Sequence, residues 1–221
     1  MKLTYLPPKI HPTAEVIDPE LIGDGSVIKR GAELDAGVSI GVNTIVGREV
    51  CIGTGSDVGS DVVIGPRVRI GRKTLIMDSV IICPNNVKSV SSDGRKIGNR
   101  NSIGFGVLLH DEVELADEAI VPTQRTIVSI GNLGVKNRVV TIYGSGHGVP
   151  LYSIGCQVGV RFERIEANIA RQANTTLESA STYTPFLPTF LEIGAVVQRA
   201  YEQESNAIEE LLAARREYGL S

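Results

Sequence analysis

Few side chains in this 221-residue sequence could perform acid–base or nucleophilic chemistry near neutral pH. They are three histidines and three cysteines: His11, His110, His147, Cys51, Cys83 and Cys156. The cysteines are odd in number and have no paired spacing, which indicates reduced intracellular thiols and neither a disulfide framework nor a metal site. Cys156 could be a nucleophile in principle, but a small buried apolar role fits it better, because no base is paired with it.

Basic side chains form two clusters in the middle of the chain. The first holds Arg67, Arg69, Arg72 and Lys73, and the second holds Lys88, Arg95, Lys96 and Arg100. Converging cations of this kind bind phosphate groups, whether those belong to a coenzyme, a nucleotide or a sugar nucleotide. The alternative is a solvated, exposed edge that discourages stacking against another chain.

The composition bounds the class of protein. With 42% hydrophobic and 21% charged residues, the chain can form a core, which excludes a disordered protein. A formal charge of −3 argues against a general nucleic-acid binder, which needs a basic surplus. The N-terminus lacks the apolar region of a signal peptide, and no segment approaches the roughly 18 apolar residues of a membrane helix. We therefore expect a cytoplasmic protein without a membrane partner.

Aliphatic residues recur at every sixth position and organise most of the chain. The nineteen ladder positions, all Ile, Val or Leu, are Ile10, Val16, Ile22, Ile28, Leu34, Ile40, Val46, Ile52, Val58, Ile64, Ile70, Ile76, Ile82, Ile97, Ile103, Leu109, Leu115, Val121 and Ile127. A period of six fits neither an amphipathic helix nor a simple alternating strand. It fits short strands that turn every six residues, with one aliphatic side chain per strand inside and Gly, Asn or Asp at the corners.

An aliphatic residue that is often followed by Gly, with a small residue four positions on, resembles the hexapeptide repeat. The chain from about Ile10 to Ile130 is similar to hexapeptide-repeat proteins of the left-handed β-helix type. The resemblance implies three six-residue repeats per coil, about six coils, and a homotrimer. The predicted fold is mainly β, with a left-handed β-helix over 1–135, a β-hairpin extension over 136–160 and a helical C-terminal region over 161–221.

The period breaks between Ile82 and Ile97, where fifteen residues replace six or twelve. We predict a protruding loop over 83–96, which carries function or helps to lock a trimer. Stacked coils bring residues about eighteen positions apart onto one face, so the two basic clusters can converge into one patch. The predicted ligand-binding residues are Arg67, Arg69, Lys88, Arg95, Lys96 and Arg100.

The resemblance also implies a role for His110. Several hexapeptide acyltransferases use a His in a His-Asp context as general base, and Leu109-His110-Asp111 is similar to it, although here the His lies one residue and not two after the ladder aliphatic. His110 is therefore the predicted catalytic residue. His11 and His147 are predicted to be structural and exposed, and the three histidines cannot supply the zinc site of a gamma-class carbonic anhydrase.

Composition changes abruptly after Gly159, where glycine and β-branched residues become rare. The spacing predicts an amphipathic helix over Arg161–Gln172. A longer helix is predicted from about Pro185 to Glu217, with heptad-like apolar spacing interrupted by Glu204. We expect it to pack against a partner helix or against the side of the β-helix.

These observations leave two functions open. The first is an acyltransferase that uses acyl-coenzyme A as co-substrate and acts on a hydroxyl or amine of a small molecule or sugar, without a metal. The second is a non-catalytic trimeric binding or assembly protein, whose basic groove between subunits holds a phosphorylated or nucleotide ligand.

Overall fold

The computed structural model describes residues 6–82, 95–109, 113–133, 138–154, 157–173 and 183–220. It confirms the predicted parallel β-solenoid, because short strands form three parallel sheets around one core. Strand pairing joins residues eighteen positions apart, as in Ile28 with Val46 and Val46 with Ile64. Each turn therefore contains three six-residue repeats, one on each sheet.

The three sheets are numbered in the order in which the chain visits them. Sheet 1 contains Lys9–Ile10, Val27–Ile28, Ile45–Val46, Val63–Ile64, Ile81–Ile82 and Leu108–Leu109. Sheet 2 contains Glu15–Val16, Glu33–Leu34, Cys51–Ile52, Val68–Ile70 and Arg95–Ile97. Sheet 3 contains Ser39–Ile40, Asp57–Val58, Leu75–Ile76, Ser102–Ile103 and Ile120–Val121. The six strands of sheet 1 delimit about five turns; the left-handed sense and the six coils stay predictions.

The ladder residues line the inside of the solenoid, as predicted. From Ile28 to Val121 each of them is at most 4% exposed. One aliphatic side chain per strand fills the core, and the small residue four positions later fills each corner, as Ala32 and Val50 do. The corners need close contact between turns: a Cβ atom on Gly104 would collide with the carbonyl group of Pro122 in the next turn.

The interruption of the period leaves the register intact. Ile70 pairs with Ile97, which lies twenty-seven positions away, one turn plus nine inserted residues. Most of the predicted loop over 83–96 lies outside the described residues, but Arg95 and Lys96 already belong to the strand Arg95–Ile97. These two residues are in a strand because parallel pairing with Val68–Ile70 extends beyond the ladder residue, and the loop itself stays a prediction.

An antiparallel sheet closes the C-terminal end of the solenoid. Its strands are Ile127–Leu133, Arg138–Tyr143, Leu151–Ile154 and Gln157–Val160. Tyr143 joins the solenoid core, and its hydroxyl oxygen accepts a hydrogen bond of 3.2 Å from the backbone N–H of Ala116. A sheet in this place covers apolar side chains of the last turn. The predicted division of the chain at 135 and 160 stays a prediction.

Three helices follow: α1 (Phe162–Ala173), α2 (Leu187–Gln203) and α3 (Ser205–Glu217). The single long helix predicted up to Glu217 was wrong, because the chain leaves helical geometry at Glu204, with φ −93° and ψ 27°. The Glu204 carboxylate accepts weak hydrogen bonds from Thr123 (3.4 Å) and Arg125 (3.5 Å) on the last turn of the solenoid. Within the part of the chain that the structure describes, no helix has the length and apolar content needed to span a membrane.

Candidate functional site

A groove of about 690 Å³ lies at the corner between sheets 2 and 3, which we call the 2–3 corner. Its walls come from four successive turns of the solenoid. The lining residues are Thr54, Arg72, Lys73, Asn99, Arg100, Asp117 and Glu118. Because the turns are stacked in register, an elongated ligand in this groove would run parallel to the solenoid axis. It would contact equivalent corner residues of successive turns.

The backbone of the corner fixes where these side chains begin. Lys73, Arg100 and Glu118 adopt left-handed conformations, with φ of 52°, 55° and 62°. The N–H of Lys73 donates to the carbonyl of Thr54 (3.0 Å), and the N–H of Arg100 donates to that of Arg72 (2.8 Å). Non-glycine residues in this conformation are uncommon and persist where surrounding contacts determine them. Here the stacked hydrogen bonds provide those contacts.

Two polar side chains of the groove form hydrogen bonds that stabilise the corner. Asn99 Oδ1 accepts from the N–H of Arg72 (2.9 Å), and Asp117 Oδ1 accepts from the N–H of Asn99 (2.8 Å). Asp117 Oδ2 also accepts from Asn99 Nδ2 at 3.2 Å. These hydrogen bonds satisfy backbone N–H groups of the corner. Asn99 and Asp117 therefore determine the shape of the groove.

The groove combines three cations with two carboxylates. Arg72, Lys73 and Arg100 project from two adjacent turns, and Arg100 Nη1 lies 2.9 Å from Glu118 Oε1. The side chains of Arg100 and Glu118 are 56% and 68% exposed. An exposed ion pair of this kind contributes about 0 to 1 kcal/mol. An anionic ligand that replaced Glu118 at Arg100 would therefore meet little opposition, and guanidinium groups suit phosphate oxygens.

The structure places the predicted ligand-binding residues on three parts of the solenoid. Arg100 lines the groove, whereas Arg67 lies on the corner between sheets 1 and 2, the 1–2 corner, with φ 60°. Arg69 and Lys96 are register neighbours on sheet 2, between the two corners. Arg95 pairs with Val68 on the same two strands. Lys88 lies outside the described residues.

The predicted catalytic residue, His110, also lies outside the described residues. Leu109 ends the strand that precedes it, on sheet 1. In the described turns the 1–2 corner follows sheet 1, and it lies at the opposite end of the sheet 2 strands from the groove. The strands of sheet 2 have two or three residues, so roughly 10 Å of sheet separates the two corners.

The outward column of sheet 2 changes charge along the solenoid axis. Glu15, Glu33, Cys51 and Arg69 occupy it on the first four strands, and Lys96 holds the same register position on the fifth. Cys51 is a free thiol that donates to Glu33 Oε2 at 3.4 Å. Burial, followed by the bond to Glu33, raises the pKa of the Cys51 thiol, which makes it a poor nucleophile.

The other described histidines have local contacts. His11 Nδ1 accepts a hydrogen bond from the backbone N–H of Thr13 (3.2 Å) and lies 3.0 Å from the Thr13 hydroxyl. His147 is exposed on a turn whose backbone is held by Ser145. Among the described residues, no group of three or more His, Cys, Asp or Glu side chains is placed to hold a metal ion.

Sequence reasoning found only part of the groove. Arg72 and Lys73 belong to the first basic cluster but were left out of the predicted site. Asn99 and Asp117 were missed, although their eighteen-residue spacing could have placed them on one corner. Arg215, which contacts the carbonyl of Lys73 from α3, had no signal in the sequence, because its position depends on how the helix packs.

Comparisons with known proteins give limited information. No protein-family model and no curated protein matches the chain. Among solved structures, it is similar to a variant of perosamine N-acetyltransferase from Caulobacter crescentus in complex with CoA and GDP-perosamine, with 21% identity and a TM-score of 0.28, over 52% of this chain and 53% of that one. It is also similar to the acetyltransferase domain of PglB from Neisseria gonorrhoeae, with 20% identity and a TM-score of 0.28, over 51% and 55% of the two chains. The chain thus spans about half the length of each.

Proposed function

We propose that the protein is an acyltransferase that uses acyl-coenzyme A as co-substrate and acylates a hydroxyl or amine of a small molecule or sugar. The observation that carries the proposal is the convergence of Arg72, Lys73 and Arg100 in one groove. Phosphate groups, which the coenzyme carries, are the ligands that such a set of cations prefers. The type of reaction comes from the resemblance to the hexapeptide repeat, since a single fold hosts several activities.

The positions of the cations support a path for the coenzyme. The phosphate groups of the coenzyme would lie in the groove. The rest of the coenzyme would cross sheet 2 near the positions of Arg69 and Lys96, toward the 1–2 corner. The acidic first half of the same column, with Glu15 and Glu33, would repel phosphate and keep the ligand at the basic half.

In the proposed reaction His110 acts as general base. Its imidazole takes the proton from the acceptor hydroxyl or amine while the acceptor oxygen or nitrogen attacks the thioester carbonyl carbon. The carbon–sulfur bond then breaks, and the thiolate of the coenzyme leaves and takes up a proton. The acyl group ends on the acceptor, and no oxidant or reductant is needed.

One observation favours the second candidate, a non-catalytic protein that binds a phosphorylated or nucleotide ligand. The residues that line the groove include neither a histidine nor a cysteine. The groove by itself could therefore bind an anion but offers no strong general base. Turnover separates the two candidates, whereas ligand binding does not.

We further propose that copies of the chain associate through sheet 1, as a homotrimer in the cytosol. From Val27 to Leu108 the outward column of this sheet is apolar, and Val63 and Ile81 are 37% and 43% exposed. Its 1–2 corner carries Lys29, Arg30, Arg48, Glu49 and Arg67, and its other corner carries Asp24, Asp61 and Asp78. A head-to-tail interface would place the basic corner of one copy against the acidic corner of the next, and such an interface can close into a ring.

The function is tested by calorimetric titration of the full-length protein with coenzyme A, acetyl-coenzyme A and a panel of nucleotides and sugar nucleotides. We expect binding of the coenzymes, and weaker binding by Arg100→Met. Arg164→Met, on the exposed side of α1, is the matched control and should bind like the wild type. Equal affinity of the wild type and Arg100→Met would remove the groove from the proposal.

Turnover is then measured as thiol release from acetyl-coenzyme A with a panel of amino and hydroxyl sugars. His110→Ala should lose turnover and keep its coenzyme affinity and its melting temperature. Full activity of His110→Ala would eliminate this histidine as the base. Binding of nucleotides alone, without turnover, would establish the second candidate.

Association is tested by sedimentation velocity. Ile81→Glu should give monomers, because it buries a charge in the proposed interface. Leu191→Glu replaces an apolar residue on α2 that is 52% exposed and does not belong to sheet 1, and it should leave the trimer intact. A wild-type chain that sediments as a monomer at all concentrations would contradict the trimer.

A further inference from the structure

The C-terminal helix α3 contacts the backbone of the groove through one arginine. Arg215 Nη2 donates to the carbonyl oxygen of Lys73 (2.9 Å). Arg215 Nη1 donates to the carbonyl oxygen of Asn101 (3.0 Å) and to the hydroxyl of Ser102 (3.3 Å). Lys73 and Asn101 belong to successive turns of the solenoid, so a single guanidinium group joins two turns directly behind the cations of the groove.

The end of α3 is built to hold Arg215 in this place. Gly219 has φ +66°, its N–H donates to the carbonyl of Arg216 (3.1 Å), and the N–H of Leu220 donates to that of Arg215 (3.0 Å). This pair of bonds is the Schellman motif, which fixes the last turn of a helix. Leu211 and Leu220 are buried, whereas the neighbouring Arg216 is exposed. The helix terminus is thus docked, and only one of its two arginines contacts the solenoid within the described hydrogen bonds.

Arg215 and Arg100 also interact electrostatically. Burial lowers the pKa of Arg215, and the positive charge of Arg100 lowers it further, while Glu118 acts in the opposite direction. The two positive charges therefore repel each other. An anion bound beside Arg100 would reduce this repulsion, because it adds the negative charge that the pair lacks.

We infer that Arg215 is a positioning residue for anion binding in the groove. This inference rests on the proposed function. It adds that the helix α3 contributes to the ligand site. By joining the carbonyls of Lys73 and Asn101, Arg215 fixes the spacing between the turns from which Lys73 and Arg100 project. A lysine could not replace it, because one ammonium group on a flexible stem lacks the planar fork that reaches three acceptors. Since coupling is reciprocal, an anion in the groove also stabilises the docked helix.

The test uses the full-length protein and inorganic pyrophosphate as the probe, titrated calorimetrically at low and high salt. Arg215→Lys keeps the charge and should weaken pyrophosphate binding by at least about fivefold. The salt dependence of binding should stay that of the wild type, because the charge is unchanged. Arg216→Lys is the matched control, one residue away on the exposed face, and should bind like the wild type.

A second measurement covers the case in which Arg215→Lys folds poorly. In the wild-type protein, saturating pyrophosphate should slow amide hydrogen exchange in the last turn of α3, and it should leave exchange in α1 unchanged. Unchanged exchange in α3 would overturn the coupling. Equal pyrophosphate affinity of the wild type and Arg215→Lys would do the same.

The two proposals fail in different ways. If Arg100→Met loses pyrophosphate binding and Arg215→Lys keeps it, only the role of Arg215 is overturned. If the wild-type protein does not bind pyrophosphate at all, the groove is not an anion site and both proposals fall.

Discussion

Side-chain hydroxyl groups inside two of the three corners of the solenoid form a ladder that joins successive turns. Ser26 Oγ donates to the carbonyl of Gly41 (2.7 Å) and accepts from the N–H of Thr44 (2.9 Å). Ser56 Oγ makes the same pair of bonds with Gly71 (2.8 Å) and Thr74 (3.0 Å). Each hydroxyl thus satisfies one acceptor fifteen residues later and one donor eighteen residues later.

Asn101 occupies the position equivalent to Ser56 in a later turn, but its side chain makes only one of the two hydrogen bonds. Its Oδ1 accepts from the N–H of Ala119 (2.7 Å), but its Nδ2 is buried without a partner. A buried polar group that lacks its hydrogen bond costs about 1 to 3 kcal/mol. By analogy with Ser56, a hydroxyl at position 101 would accept from Ala119 and donate to the carbonyl of Ala116, which lies fifteen residues later.

We therefore expect Asn101→Thr to stabilise the protein by about 1 to 2 kcal/mol, because it replaces an unpaired amide nitrogen with a paired hydroxyl. For a chain of this size the melting temperature should rise by about 2 to 8 °C. Thermal and urea unfolding, followed by circular dichroism, measure the change. The backbone carbonyl that binds Arg215 stays in place, so that contact does not confuse the result.

The reverse substitution is the control. Thr74 occupies the equivalent position one turn before Asn101, and its hydroxyl donates to the carbonyl of Gly98 (3.1 Å). Thr74→Asn should therefore lower the melting temperature by a comparable amount. A lower melting temperature for Asn101→Thr, or a higher one for Thr74→Asn, would show that the hydroxyl ladder does not govern stability at this corner.

Two further predictions concern Tyr152 and the glycines Gly104 and Gly106. Burial raises the pKa of Tyr152 to about 12, so between about pH 10 and 12 the unfolded chain releases a proton that the folded chain keeps, and the free energy of unfolding falls as the pH rises. Urea midpoints across this range should fall less steeply in Tyr152→Phe; an equal slope in the two proteins would contradict the assignment. Gly106 has φ +64° and open space around its Cβ position, so Gly106→Ala should cost only about 1 kcal/mol of backbone strain. Gly104→Ala, whose Cβ would meet the Pro122 carbonyl, should cost at least about 2 kcal/mol, and the opposite order in thermal unfolding would refute the packing argument.

The candidate site could be predicted in part. The two basic clusters were expected to lie on one face. Arg69 and Lys96, one from each cluster, are register neighbours, because stacking by turns converts sequence spacing directly into position. The same arithmetic applies to Arg72, Asn99 and Asp117 once the nine inserted residues are subtracted. Counted in the same way, Arg67 and Arg100 are 33 positions apart, or 24 without the insertion, so they lie on different corners. The length of the insertion came only from the pairing of Ile70 with Ile97.

The sequence by itself determined the solenoid. An aliphatic residue at every sixth position can be buried only if the chain turns after each short strand, and local spacing then dictates pairing, register and core. The C-terminal third follows no such repeat. Its helices were visible as apolar stripes. The contacts of Glu204 with Thr123 and Arg125, and of Arg215 with the backbone of the groove, were not. Those contacts join residues 79 to 142 positions apart, so only the tertiary structure decided them.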